Sequence, residues 1–337
     1  MTSELNIEGI CRKILEDSGG FIANQARTIL LDDPELKELC SPLEFISKNW
    51  RDPLTPAMIS LSCEAVGGQP KDTYEAALAM SLINLSFYVW DDIIDKVQIK
   101  LFKPTLYGKF GEGTTLMIGG LSSAKAFLIL NQMSLDQEKY RVITKLLWDF
   151  LVDMARAETI NLRLRTQRNP SAKEKFWKIK TEAADLGTCL RIGAIIGDGS
   201  ADEVRHLGNY GKCLGMILEL WKDFHVGLNL TLELAAKVKA GAFPFVLLWA
   251  SERSDKIRRK LDQIRTAETI EQADITQILE ETLATGALTH TVRAVKSFAK
   301  KGGEELMKIR SNDATRALHM LIDAQPQLFV QSLPKLH

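Results

Sequence analysis

Apolar residues recur along this chain at three- and four-residue intervals, the period of an amphipathic helix. Strand-like alternation is almost absent, and β-branched clusters are few. The pattern predicts helices near 5–18, 20–31, 34–48, 54–66, 72–98, 113–131, 136–166, 172–196, 200–228, 230–250, 253–264, 269–284, 286–309 and 312–325. Gly67-Gly68-Gln69-Pro70, residues 108–113, Asn169-Pro170 and Gly197-Asp198-Gly199-Ser200 carry turn chemistry and mark breaks. Ser200 followed by Asp202 and Glu203 suits a helix start, with acids near the positive end of the dipole. Three stretches, 76–90, 113–130 and 213–228, are apolar on more than one face, which places them centrally. Residues 253–264 and 269–284 are strongly charged and belong outside. Without a repeat, a low-complexity linker or a composition shift, the expected architecture is one all-α domain over residues 1–337, a helical bundle with central helices ringed by others.

Composition narrows the function classes. Lys plus Arg and Asp plus Glu are equal at 43 each, which argues against a broad nucleic-acid-binding surface. The N-terminus carries acids where a secretory leader would carry bases and an apolar core. The cleanest uninterrupted apolar run, residues 243–250, is far shorter than a membrane span, so no transmembrane segment is expected. Cys11, Cys40, Cys63, Cys189 and Cys213 are scattered, odd in number and without CxxC spacing, the usage of reduced thiols in a cytoplasmic protein. The histidines are equally dispersed, which disfavours zinc.

The chemistry concentrates at Asp91-Asp92-Ile93-Ile94-Asp95, directly after the apolar run 76–90. Positions i, i+1 and i+4 of a helix can aim carboxylates at one point, and such crowding is unfavourable unless a cation compensates it. Mg²⁺ prefers carboxylate oxygen completed by water and substrate phosphate. Acidic clusters at solvated helix ends are common, but few follow a stretch such as Leu82-Ile83-Asn84-Leu85-Ser86-Phe87-Tyr88-Val89-Trp90. The segment reads as a Mg²⁺–diphosphate handle at the mouth of an apolar helical cavity.

From Asp91 onward, DDIIDKVQIKLFKPTLYGKFGEGTTL resembles the trans-isoprenyl diphosphate synthase (polyprenyl synthetase) family: an Asp-rich motif, basic residues, Pro-Thr, then a Gly-rich helix entry. Lys180-Thr181 and Tyr210-Gly211-Lys212-Cys213-Leu214-Gly215 extend the resemblance towards the family's second Asp-rich motif. It implies an isoprenoid/terpenoid-synthase-type bundle with a central cavity, and up to three Mg²⁺ ions bridging two acidic motifs to an allylic prenyl diphosphate. Carried over, Asp91, Asp92, Asp95 and Asp223 would hold metal, and Lys180 with Thr181 would meet the diphosphate. Lys100, Glu219, Trp221 and Lys222 would line the substrate site with Phe87 and Trp90. Aromatic faces stabilise cations, although each of these rings also suits plain core packing. Phe87, one turn before Asp91, would floor the cavity. The family also implies a homodimer, with a heteromer formed with a homologue as the other possibility.

The departures are equally specific. The second motif reads Glu219-Leu220-Trp221-Lys222-Asp223, with lysine in an acidic position. The segment that grips isopentenyl diphosphate in the family is replaced by Arg51-Asp52-Pro53-Leu54-Thr55-Pro56, leaving Arg51, Lys48 and Lys100 as candidate donors. Mid-chain, Glu158 and Asn161 stand where the family carries Gln and Asp. With the ionising half kept and the acceptor half eroded, the expectation leans to a non-standard fate of the cation: cyclisation or elimination as in a class I terpene synthase, or transfer to an unusual acceptor. Asn229, Thr231 and Glu233 lack the spacing of a cyclase metal triad, which weakens the cyclase branch. Ordinary chain elongation and a non-catalytic regulatory or binding subunit are the alternatives.

Overall fold

In a computed structural model, residues 7–100, 103–167, 169–228, 238–267 and 271–332 are described. Asn229, Thr231 and Glu233 lie outside them. The fold is all-α. Its helices are α1 (Ile7–Thr28), α2 (Cys40–Asn49), α3 (Leu54–Ala65), α4 (Tyr74–Ile94), α5 (Leu106–Leu130), α6 (Gln137–Thr166), α7 (Ala172–Glu182), α8 (Ala184–Ile196) and α9 (Ala201–Leu228), followed by α10 (Phe245–Ser251), α11 (Asp255–Thr266), α12 (Gln272–Ala284), α13 (Ala287–Leu306) and α14 (Asp313–Gln331). A hairpin of two-residue strands, β1 (Ile99–Lys100) and β2 (Lys103–Pro104), pairs antiparallel between α4 and α5.

The chain forms two compact units, each drawn from separated stretches. The first comprises Met1–Ile143, Cys189–Leu207 and Ile309–Leu318; the second comprises Thr144–Thr188, Gly208–Lys308 and His319–His337.

In the first unit α4 is the central helix, packed on α1, α3 and α5. Leu78, Met80, Leu82, Ile83, Leu85 and Val89 are buried along it, with Met58 and Ile59 of α3 and Ile118 and Ala126 of α5. Each large aliphatic side chain so buried contributes about 1.5–3 kcal/mol. In the second unit Tyr210, Leu214, Ile217, Leu220 and Phe224 of α9 are buried, and Phe224 lies 5.0 Å from Phe329 of α14, ring centre to ring centre.

Several boundaries differ from the periodic reading. Gly19-Gly20 does not end a helix: α1 runs through, and a side chain at Gly19 would collide with Pro53 O and Ala57 N. Gly19 admits a neighbouring backbone where the pattern broke the helix. The predicted 172–196 helix is two, broken at Ala183, and the 72–98 helix stops at Ile94. Of the 230–250 helix the described residues show helix at 238–239 and, after a break at 240–244, α10. Gly111, at φ 81° and ψ 176°, interrupts α5 inside the Gly-rich entry, so helix already begins at Leu106.

The membrane expectation also needs qualification. Two helical segments, Pro70–Ile94 and Leu106–Leu130, are long and apolar enough to cross a membrane. The apolar run was underestimated because Ser, Thr, Asn and Gly punctuate it without charge. The first segment is largely α4, 61% buried over its most apolar window, while α5 is 39% buried and leaves an apolar stripe outside.

Candidate active site

In the first unit, α4 delivers the acidic motif to its own C-terminus. Asp91 and Asp92 occupy the last turn and Asp95 is the C-cap. This is the negative end of the helix dipole, so the position is unfavourable to carboxylates and favourable to a cation. The helix stops sharply. Val97 N donates to Asp92 O (2.8 Å) and Lys96 N to Ile93 O (3.1 Å), a Schellman turn with Lys96 at φ 54° where glycine is usual. Thr105 Oγ1 then donates to Val97 O (2.8 Å), and Thr105 N donates to Gln98 O (2.9 Å). The turn and hairpin thereby return Lys100 to Asp92.

Asp92 is the singular group. It is 1% exposed, and the Lys100 ammonium lies against its Oδ1 as an ion pair. Its Oδ2 has no hydrogen bond among the described residues. Burial pushes the Asp92 carboxyl above the usual range; Lys100 offsets part of the rise, and the Asp95 charge adds to it. Lys100 Nζ also stands 4.8 Å from the centre of the Tyr88 ring, a cation–π contact the sequence reading missed. Asp91 is half-buried and Asp95 exposed.

Behind the acids, Phe87 and Trp90 meet edge-to-face at 5.9 Å. Trp90 lies against Gly119 of α5, where any Cβ would strike the indole. Ser86 Oγ donates to Gly119 O (2.8 Å), fixing the same contact from α4. The Trp90 indole N–H is buried without a hydrogen-bond partner among the described residues.

The proposed acceptor donors are otherwise engaged. Arg51 is bidentate to Glu16 (2.5 and 2.6 Å) and donates to Asn24 Oδ1 (3.0 Å). Lys48 pairs with Glu44 at 3.1 Å. Asp52 accepts from Leu54 N, Thr55 N and Thr55 Oγ1, so the acid that replaces a basic residue starts α3.

In the second unit a glycine seam sets α9 against the joint between α7 and α8. A Cβ at Gly211 would lie 2.5 Å from Leu186 O, and one at Gly215 would lie 2.3 Å from Ala183 O. The 210–215 motif therefore needs glycine for backbone approach. The next turns of α9 then run beside α7. Asp223 Oδ1 meets Lys175 Nζ at 3.2 Å, and Asp223 Oδ2 accepts from Phe245 N at 2.6 Å. Phe245 opens α10, whose N-cap is Pro244 without a side-chain cap, so Asp223 satisfies an otherwise orphaned donor. Lys178 pairs with Glu182 at 2.5 Å, and Lys222 with Glu219 at 3.6 Å. Burial drives the Glu219 carboxyl above its usual range; Lys222 and Lys178 oppose the rise, and Glu182 and Asp223 add to it. Glu182 Oε2 is buried without a hydrogen bond among the described residues.

Lys180 is exposed and makes no ion pair among the described residues. Thr181 Oγ1 donates back to Trp177 O (3.0 Å), and Trp221 is 39% exposed. Lys175 and Lys178, which sequence reasoning passed over, stand by the acidic face of α9. Their i, i+3 spacing, continued by Glu182 at i+7, was the available signal. On α6, Asn161 Nδ2 donates to Glu158 Oε1 at 3.0 Å, so the two altered mid-chain positions serve each other.

Among the described residues no three His, Cys, Asp or Glu side chains form a ready-made metal cage. A buried carboxylate with unfilled lone pairs, at the negative end of a helix, nevertheless fits Mg²⁺ held by one or two carboxylates and completed by substrate and water. Asp92 with Asp91 meets that requirement. Asp223 already has one contact on each oxygen, Lys175 on Oδ1 and Phe245 N on Oδ2.

The model of the polyprenyl synthetase family matches residues 39–282, and this chain belongs to that family. It is similar to the short chain isoprenyl diphosphate synthase of Methanothermobacter thermautotrophicus, 25% identical over 276 residues, covering 80% of this chain and 84% of that protein. The geranylgeranyl diphosphate synthase of Methanosarcina mazei is 24% identical over 265 residues, 76% of this chain and 79% of its own. Among solved structures, geranylgeranyl pyrophosphate synthetase from Pyrococcus horikoshii superposes with a TM-score of 0.83 at 19% identity, over 95% of this chain and 98% of that one. A polyprenyl synthase from Caulobacter crescentus, complexed with calcium and isoprenyl diphosphate, gives 0.81 at 19% identity over 95% and 97%. These two likenesses show the fold.

Proposed function

We propose that this chain is a Mg²⁺-dependent prenyl diphosphate synthase, which ionises an allylic prenyl diphosphate at the end of α4 and extends the prenyl chain. The observation that carries this reading is Asp92, a buried carboxylate with Lys100 against Oδ1 and no hydrogen bond on Oδ2 among the described residues. When bound, the metal supplies positive charge to the departing diphosphate. Asp91 and Asp92 bind and orient it, and Lys100 and Tyr88 hold Asp92 in place. Phe87 and Trp90 give the prenyl chain an apolar wall that excludes water.

The names of the two similar relatives, both diphosphate synthases, favour chain elongation over the non-standard fate expected from sequence. One observation keeps the second reading in play. Arg51 and Lys48 are bound by Glu16, Asn24 and Glu44, so an ordinary isopentenyl diphosphate grip would require them to change partners. Incubating the protein with Mg²⁺ and C10 to C20 allylic diphosphates, with and without isopentenyl diphosphate, separates the cases. Longer prenyl diphosphates formed only with both substrates are expected. Hydrocarbon or alcohol released from the allylic substrate alone would move the reading to the second fate. No turnover, with activity gained on adding a homologue, would make the chain a subunit.

Self-association through α5 belongs to the same reading. Leu116, Met117, Phe127 and Leu128 are 44–59% exposed on one side of that helix, an apolar stripe suited to a second copy. Light scattering should give twice the chain mass, falling towards the monomer in a Met117→Glu, Leu128→Glu variant; a monomeric wild type would remove the homodimer.

A further inference from the structure

Lysine and carboxylate alternate across the α7–α9 face in three pairs: Lys175 with Asp223, Lys178 with Glu182, and Lys222 with Glu219. The first two pairs are only 12–14% exposed, so solvent screens them little. Charge on the face is balanced three against three. A divalent cation at Asp223 would either share its oxygens with the Lys175 ammonium and the Phe245 N–H, which puts two cations side by side, or displace the N–H and uncap α10, whose N-cap proline offers no replacement. Glu182 Oε2 is the one buried oxygen in the cluster without a hydrogen bond among the described residues, and its carboxylate already carries Lys178.

We infer that the 219–223 segment binds no divalent cation, the ammonium groups of Lys175, Lys178 and Lys222 supplying in place the positive charge that metal ions supply elsewhere in the family. Asp223 is then a positioning residue: it joins α7 to the start of α10 and holds Lys175. The inference rests on the proposed function only in treating residues 91–95 as the metal-binding end.

The test counts bound Mn²⁺, by electron paramagnetic resonance of the free ion, on the full chain with saturating inorganic diphosphate. Wild type, Asp92→Asn, Asp223→Asn and Glu219→Gln are compared, with thermal unfolding recorded for each. Asp223→Asn should bind as many ions as wild type, with affinity within about twofold, while unfolding at a lower temperature. Glu219→Gln keeps the side-chain shape and should match wild type in ion count; it decides the matter if Asp223→Asn does not fold. Asp92→Asn should lose ions. Loss of one or more ions, or affinity weakened about tenfold, in Asp223→Asn or Glu219→Gln would overturn the inference. If wild type binds no Mn²⁺ at all, the inference stands and the metal role of residues 91–95 falls.

Discussion

At the end of α4, the buried Asp92 has Lys100 against one oxygen and no hydrogen bond on the other among the described residues. On α9, Asp223 has Lys175 on one oxygen and the Phe245 N–H on the other. Both are aspartates near the end of an acidic motif, and a motif search would score them alike. Their surroundings divide them. Asp92 sits where the helix dipole and burial both disfavour a negative charge, so the fold holds it at a cost that a bound cation would relieve. Asp223 sits where a lysine and a helix start both want one, so it is satisfied within the protein. A buried carboxylate with one oxygen left open points to a ligand, whereas one held on both oxygens points to architecture.

The largest effect should come from Asp92. Asp92→Asn is expected to lower turnover at saturating Mg²⁺ at least about a hundredfold, roughly 3 kcal/mol of transition-state stabilisation. The same change should leave the metal-free protein as stable or more stable at neutral pH, because it removes a charge whose burial is unfavourable. The sign follows from linkage. A carboxyl whose folded pKa is raised binds more protons folded than unfolded, so its contribution to stability increases as pH falls from the folded pKa towards the unfolded one. In metal-free chemical denaturation, the wild type should gain on the Asp92→Asn variant upon acidification through that window. Equal activity in the two proteins would end the comparison.

Asp223→Ala should reverse the pattern, with stability lost first. Removing one partner of a largely buried pair and the cap of α10 is expected to cost about 2–3 kcal/mol in urea unfolding, below the value for a fully buried pair because both side chains keep some exposure. Adding Lys175→Met to that variant should restore part of the loss by removing the orphaned ammonium. A double variant no better than the single one would show that Lys175 and Asp223 are not coupled.

Gly119→Ala sharpens the comparison from the α5 side. The new methyl would strike the Trp90 indole, so Trp90 must shift, at a cost of about 1–3 kcal/mol for overpacking. Trp90 is adjacent to Asp91, so its fluorescence and the apparent Mg²⁺ requirement should change together. An unchanged Mg²⁺ requirement with a shifted Trp90 would remove the indole from the metal-binding end.

The helical class and the place of residues 91–95 at the end of a buried helix were legible because both rest on local pattern: apolar period, and acids behind an apolar run. What stayed hidden depends on which neighbour arrives. Gly19 and Gly119 look like turn residues or filler until the opposing Pro53 carbonyl and Trp90 indole are in place. Asp223 matched a metal position by spacing, and its partners Lys175 and Phe245 lie 48 and 22 residues away in sequence. Lys175 and Lys178 could have been found from their helical face with Glu182, but a conspicuous Lys180-Thr181 dipeptide drew the reading two residues along.

The smallest expected effect lies at Lys96, and it concerns how the α4 acids came to be held open. The Schellman turn puts a lysine in the left-handed region, costing about 1 kcal/mol relative to glycine. Lys96 is exposed just past the negative end of α4, where a positive charge returns about 0.3–1 kcal/mol at low ionic strength. Lys96→Gly should therefore change stability little in dilute buffer. In about 1 M salt the electrostatic part is screened, and the glycine should stabilise by nearly the full backbone difference. Asp91, Asp92 and Asp95 would meanwhile lose a neighbouring cation, so Mg²⁺ should bind the variant somewhat more tightly. A Lys96→Gly protein less stable than wild type in high salt would mean that Lys96 holds the turn by a contact other than charge, and the acids of α4 would then be less exposed to a metal than their geometry implies.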